Sequence, residues 1–221
     1  KRHGTEIWYG NDGRIWAETP YLDGRRQGVT IKYYKDGTKK SEEPWADGIR
    51  VGSGIEYREN GIIAKEVEYA DSVQSAVWYR EDGSKSMETP YLKGKRQGVM
   101  IKYYEDGSKS SETPYVDGNA NGTEIKYRRN GSKEMETVYV KHSKQSEVWY
   151  REDGSKWKEM PYNGSVLHGT AVSYHKDGSI KEETPWVQGK VNGTQIGYRE
   201  DGSKAMETVY ENGNEISRKE L

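Results

Sequence analysis

Nine times along 221 residues, at spacings of 22 to 24, the chain reads Asp-Gly or Asn-Gly: Asp12-Gly13, Asp36-Gly37, Asn60-Gly61, Asp82-Gly83, Asp106-Gly107, Asn130-Gly131, Asp153-Gly154, Asp177-Gly178 and Asp201-Gly202. Such a period marks a repeat architecture, in which each unit buries its apolar surface by stacking on its neighbours. Other positions recur in phase. Four residues before each turn glycine stands a Tyr, from Tyr9 and Tyr33 to Tyr198, and two residues before that an Ile or Val, from Ile7 to Ile196. Five residues after each turn glycine stands a Glu, from Glu18 to Glu207. Three residues further comes Tyr or Trp, from Tyr21 and Trp45 to Tyr210.

Each unit reads as a β-hairpin. Ile-x-Tyr alternates with the period of a half-buried strand, and Asp-Gly or Asn-Gly between two such runs is a strong hairpin signal. A type I turn with the glycine in a left-handed bulge sets the expected register, in which Trp8 faces Trp16, Trp149 faces Trp157 and Lys126 faces Glu134. All six prolines (Pro20, Pro44, Pro90, Pro114, Pro161, Pro185) directly precede the second aromatic, where they are expected to end each second strand. No helix is expected. Eighteen strands at about 4.8 Å would give a ribbon of about 85 Å.

Composition narrows the choice further. There are 18 Tyr, 7 Trp and no Phe, and Leu, Ile and Val together number 31. That is too little aliphatic volume for a large three-layer core, so the recurring rings are expected to supply the packing, with Tyr33 inward and Tyr34 exposed. No apolar run approaches the ~18 residues of a membrane-spanning helix. With 35 basic and 36 acidic residues, binding of nucleic acid through bulk charge is not expected. The absence of cysteine removes disulfides and thiolate chemistry.

The reading is an all-β, solenoid-like linear array of about nine stacked hairpins, straight or curved, forming a single elongated domain over 1–221. Its repeats run 4–27, 28–51, 52–73, 74–97, 98–121, 122–144, 145–168, 169–192 and 193–216, with 217–221 as a tail or cap. Trp-Tyr marks the first, fourth and seventh repeats, and Pro is missing from the third, sixth and ninth. Three-hairpin superunits are therefore expected at 4–73, 74–144 and 145–216, joined near Ser72-Val73 and Lys141-His142. Lys1-Arg2-His3-Gly4 is similar to Arg25-Arg26-Gln27-Gly28 and Lys95-Arg96-Gln97-Gly98, so the chain is expected to begin inside an array.

The pattern Tyr-x-x-Asp/Asn-Gly-x-Lys-x-x-Glu-x-x-Tyr-x-x-Gly resembles the bacterial variant of the MORN repeat. Tyr103, Asp106, Gly107, Lys109, Glu112, Tyr115 and Gly118 carry the match. The resemblance implies a linear hairpin array and a scaffold for protein interaction. Some members of that family are labelled antitoxin or immunity proteins.

No catalytic, metal or cofactor residue is expected. Calcium needs six to eight converging oxygens, and equivalent Glu in successive hairpins lie about 10 Å apart. Each Glu is expected to serve backbone, Tyr hydroxyl, Lys or Arg. His3, His142, His168 and His175 occupy different repeat positions without ligand spacing. Residues recurring only every third repeat are freer for recognition. These are Trp8, Trp16, Trp78, Trp149 and Trp157, with Tyr34 and Tyr104 as a second set. They form the candidate surface for a protein partner, whether a toxin, a neighbouring domain or another copy. The alternative is a glycan or choline-type ligand held by exposed rings.

Overall fold

The computed structural model describes residues 1–70 and 72–221. Among these there is no helix, and strands follow one another as antiparallel hairpins. The chain divides into two contact units, Lys1–Ser108 and Lys109–Leu221. The first holds four hairpins and the strand Gly98–Tyr103 with its turn. The second begins with the strand Lys109–Val116, continues through four hairpins and closes on Asn214–Glu220. Residues 217–220 therefore continue a strand that pairs with Lys204–Glu211.

The first hairpin shows how the repeat forms. Strands Gly4–Tyr9 and Ile15–Leu22 are joined at Gly10–Gly13, where the Gly13 amide donates to the Gly10 carbonyl (3.0 Å) and the Gly10 amide to that of Arg14 (2.8 Å). Gly13 sits at φ 78°, a left-handed conformation glycine adopts without Cβ strain. The turn acid also works locally: Asp82 Oδ1 accepts the Ser84 amide (2.8 Å) and hydroxyl (2.7 Å), an Asx turn.

The turn is as expected, but the register is not. Tyr9 pairs with Ile15, after which a second bulge intervenes and Trp8 pairs with Ala17. Lys126 likewise opposes Met135, not Glu134, and Trp149 opposes Lys158. The extra residue (Trp16, Glu134 or Trp157) shares one partner with the residue after it. The Trp rings still meet.

This bulge reverses the side-chain alternation of the second strand. Ile7 faces Glu18, and Glu18 faces Ile31 of the next hairpin. Ile, Tyr, Glu and Lys thus share one face. The buried residues lie on the other: Ala17, Thr19, Thr30, Ser41, Val67, Ala76, Thr89 and Met100 in the first unit, with Ser111, Thr113, Met135, Thr137, Ala171, Thr184 and Thr208 among those of the second. The expectation of Tyr33 inward and Tyr34 outward is corrected, since both are half-buried. A single layer has no second sheet to cover its Tyr face, and only small side chains close completely.

Proline does not end its strand either. Ile15–Leu22 runs two residues past Pro20, and its pairing with the preceding strand continues through Tyr21. What is interrupted is the ladder on the other side, which holds Ala17–Lys32 and Glu18–Ile31, breaks at Pro20 and resumes at Tyr21–Arg26, because proline has no N–H to give it. The Pro20 carbonyl accepts the Gln27 amide instead (3.0 Å). Gly28, at φ 102°, lies where a Cβ would stand 3.1 Å from the Pro20 ring, and Gly98, Gly122, Gly169 and Gly193 repeat the arrangement. Where Val138 replaces proline, the ladder to the next hairpin runs from Met135 to Val140.

Candidate functional site

Most recurring polar groups are spent on the array. In the first unit the Tyr57, Tyr79 and Tyr103 hydroxyls donate to Glu42 (3.2 Å), Glu66 (2.7 Å) and Glu88 (2.6 Å) of the preceding hairpin. In the second, Tyr127, Tyr150 and Tyr198 donate to Glu112 (2.8 Å), Glu136 (2.8 Å) and Glu183 (2.7 Å). A Lys three residues before the Glu completes the group, as in Lys39–Glu42 (2.5 Å) and Lys133–Glu136 (2.7 Å). Residues three apart share a face here because the bulge lies between them. Hydrogen bonds from Lys109 and Tyr127 hold the Glu112 carboxyl below its usual range. Burial, then the Glu136 carboxylate, pushes the Tyr150 phenol up to about 12. The Glu ladder is thus a structural seam. Among the described residues no cluster of His, Asp and Glu could hold a metal ion.

A second seam was missed in the sequence. The residue after the recurring Tyr is Arg in five repeats. Arg58 donates to the Ile63 carbonyl of its own hairpin (2.9 Å) and the Tyr79 carbonyl of the next (2.6 Å). Arg80, Arg128, Arg151 and Arg199 act likewise, bridging to Tyr103, Tyr150, Tyr174 and Leu221. His175 reaches the Tyr198 carbonyl (2.9 Å). The recurrence of Arg beside Tyr was the available signal.

Tyr34 belongs to this seam: its hydroxyl donates to the Tyr57 carbonyl (2.6 Å), and the Lys40 ammonium lies 5.5 Å from its ring. Tyr104 holds the same turn position, half-buried, its amide donating to the Ser108 carbonyl (2.8 Å). Trp78 is half-buried with Lys65 over its ring at 5.5 Å. Ser86 stands where a second Trp would, and donates to the Trp78 carbonyl (3.0 Å). The remaining four form two pairs. Trp8 and Trp16 meet at 6.4 Å between ring centroids, 48 % and 46 % exposed. Trp149 and Trp157 meet edge-to-face at 6.5 Å, with Trp157 51 % exposed. In the first unit Trp16 also walls two open grooves. One, of about 380 Å³, includes Asn11, Asp12, Tyr33 and Tyr34; the other, of about 580 Å³, includes Lys32, Lys40, Glu43 and Glu56.

Fold and seams together define a β-hairpin repeat array. The family model described as the MORN repeat variant matches residues 96–117 and 167–188. These are the fifth and eighth repeats, in the phase read above, and the chain carries MORN repeat variants. No curated protein matches it in sequence. Among solved structures, a chain in the crystal structure of TcdB2-TccC3 is 12% identical at a TM-score of 0.24, with 95% of this chain and 15% of that chain covered. A porin-like protein from Bacteroides uniformis is 9% identical at 0.23, covering 96% and 91%. A chain in the structure of the Photorhabdus luminescens Tc holotoxin pore is 12% identical at 0.19, covering 98% and 16%. This chain spans about a sixth of the length of those toxin chains.

Proposed function

We propose that the protein is a non-catalytic interaction scaffold that docks a protein partner through its tryptophan pairs. The observation that carries this reading is the half-exposure of Trp8, Trp16 and Trp157, while most of the recurring Tyr and Glu side chains are tied into seams, the 60 % exposed Tyr9 excepted. Paired, exposed tryptophans are costly on a surface with no partner and are frequent anchors in protein interfaces. An antitoxin or immunity role is one form this scaffold can take, with a toxin as the partner.

A glycan reading draws support from the two grooves that share Trp16. A choline-type cage is less well supported, because lysines of the chain already lie over Tyr34 and Trp78. The test compares wild type with Trp16→Ala and Trp157→Ala on a glycan array and in affinity capture from the source organism. A protein identified with wild type, lost in both variants and absent from the glycan response supports the scaffold. A glycan response lost with Trp16→Ala overturns it. Unchanged circular dichroism shows that the variants fold.

A further inference from the structure

A row of cations in the first unit is not accounted for by the array. Arg2, Arg26 and Arg50 occupy equivalent positions in successive loops between hairpins. The loops are held in register by backbone, with the Gly24 amide donating to the Arg2 carbonyl (2.7 Å) and the Gly48 amide to that of Arg26 (2.9 Å). Their guanidiniums interleave with the second aromatics. Arg2 lies 5.5 Å from the Tyr21 ring, Arg26 4.5 Å from Trp45, and Arg50 5.1 Å from Trp45 and 5.5 Å from Tyr69. Stacking on a ring fixes a guanidinium while leaving its N–H edge open to an acceptor.

The second unit supplies an internal comparison. Ala120, Leu167 and Val191 hold the same position in three of its loops, and their carbonyls accept the same loop bonds from His142 (2.8 Å), Gly189 (2.9 Å) and Gly213 (2.8 Å); in another loop Lys144 holds it, 4.3 Å from the Tyr162 ring and paired with Glu147 (2.5 Å). The fold needs the carbonyl at this position and not the guanidinium.

Charge is segregated accordingly. The four loops at 1–3, 23–27, 47–50 and 93–97 carry eight Lys and Arg against two Asp, and the rest of the first unit carries ten basic and sixteen acidic residues. Arg2 and Arg50 each hold one carboxylate, Glu6 (2.9 Å) and Glu43 (3.0 Å), and Arg25 lies 3.9 Å from Asp47. Arg26 is exposed, with the Trp45 ring and no carboxylate as partner among the described residues.

Successive hairpins advance by two strands, about 10 Å. A polyproline II segment rises ~3.1 Å per residue with three residues per turn, so every third side chain lines one edge at about 9 Å. We propose that the Arg2–Arg26–Arg50 row docks an extended acidic segment of a partner protein, with a carboxylate at every third residue. A single-stranded nucleic acid fits less well, because it needs open ring faces for its bases and Trp45 is flanked by two guanidiniums. This surface is separate from the tryptophan pairs, so either proposal can fail alone.

The probe is a fluorescein-labelled Glu-Pro-Pro repeat peptide followed by anisotropy, with a Gln-Pro-Pro peptide and an oligothymidylate of equal length as comparisons. Wild type is expected to bind the acidic peptide, more weakly as salt rises. Arg26→Gln combined with Arg25→Gln is expected to weaken binding about tenfold, while Lys190→Gln, in a corresponding loop of the second unit, leaves it unchanged. Both variants are checked for an unaltered melting curve, and Arg26→Gln alone serves if the double variant is unstable. Equal binding by Gln-Pro-Pro, tighter binding of oligothymidylate, or no loss in the arginine variants overturns the proposal.

Discussion

Tyr150 shows what one recurring residue does. Its hydroxyl is held against Glu136, which Lys133 also reaches. Tyr150→Phe removes one hydrogen bond to a charged acceptor while the ring stays, and should cost about 1 to 2 kcal/mol, read from the urea midpoint. The buried threonines are the opposite case. Thr89, Thr137 and Thr208 are closed off on the other face, and their hydroxyls have no hydrogen-bond partner among the described residues. A buried hydroxyl without a hydrogen bond is costly, so Thr137→Val should be neutral or stabilise by about 1 kcal/mol, visible as a raised melting temperature. Recurrence made the Glu and Tyr positions legible as scaffold in the sequence. Which threonines would be closed off was not legible, because that depends on which face packs.

At the scale of the hairpin, turn and connection are separable. The Asp/Asn-Gly turn could be read directly, since the left-handed glycine has a sequence signature. The connection differs from the sequence expectation: proline does not end its strand, and instead Pro114 breaks the ladder to the next hairpin and Gly122 fits against its ring. At Gly122 the φ is 116° and an added Cβ would lie 3.0 Å from Pro114 Cγ. Gly122→Ala therefore meets both backbone strain and a clash, and is expected to cost about 1 to 3 kcal/mol in chemical denaturation. The pairing was present in the sequence: Gly28, Gly98, Gly122, Gly169 and Gly193 each follow a proline by eight residues. The arginine seam belongs to this scale too. Arg151 ties the Lys156 carbonyl of its own hairpin to the Tyr174 carbonyl of the next, so Arg151→Met should speed amide exchange at that hairpin junction while distant hairpins keep their protection.

Across the whole molecule the seams make stability depend on pH at both ends. Tyr79, Tyr127, Tyr150 and Tyr162 are pushed up to about 12, by burial first and then by neighbouring carboxylates. Folded protein thus holds phenolic protons that unfolded chain releases near pH 10. The stabilisation is complete below pH 10 and is lost as pH rises toward 12. Glu42, Glu112 and Glu136 are lowered, chiefly by hydrogen bonds from Lys39, Lys109 and Lys133. Their contribution is present above about pH 4.5 and is lost as pH falls below it. Urea midpoints should form a plateau between these limits and fall on both sides. Constant midpoints from pH 10 to 12 would show that the tyrosine seam does not couple to folding.

The sequence by itself determined the period, the turns, the all-β class and the two recurring aromatic positions, because each rests on local backbone chemistry repeated nine times. It also singled out the tryptophans that differ between repeats. Only the tertiary structure decided which side of each strand is closed. The second bulge, at Trp16 and its equivalents, shifts the strand by one residue, and a one-residue shift moves every later side chain to the opposite face. That shift brings Glu beside Tyr and Lys and closes Ala and Thr on the reverse face. It also leaves the tryptophan pairs at the surface. A bulge adds no distinctive residue to the chain, so the face on which each seam lies and the small residues closed behind it were decided only when the strands were paired.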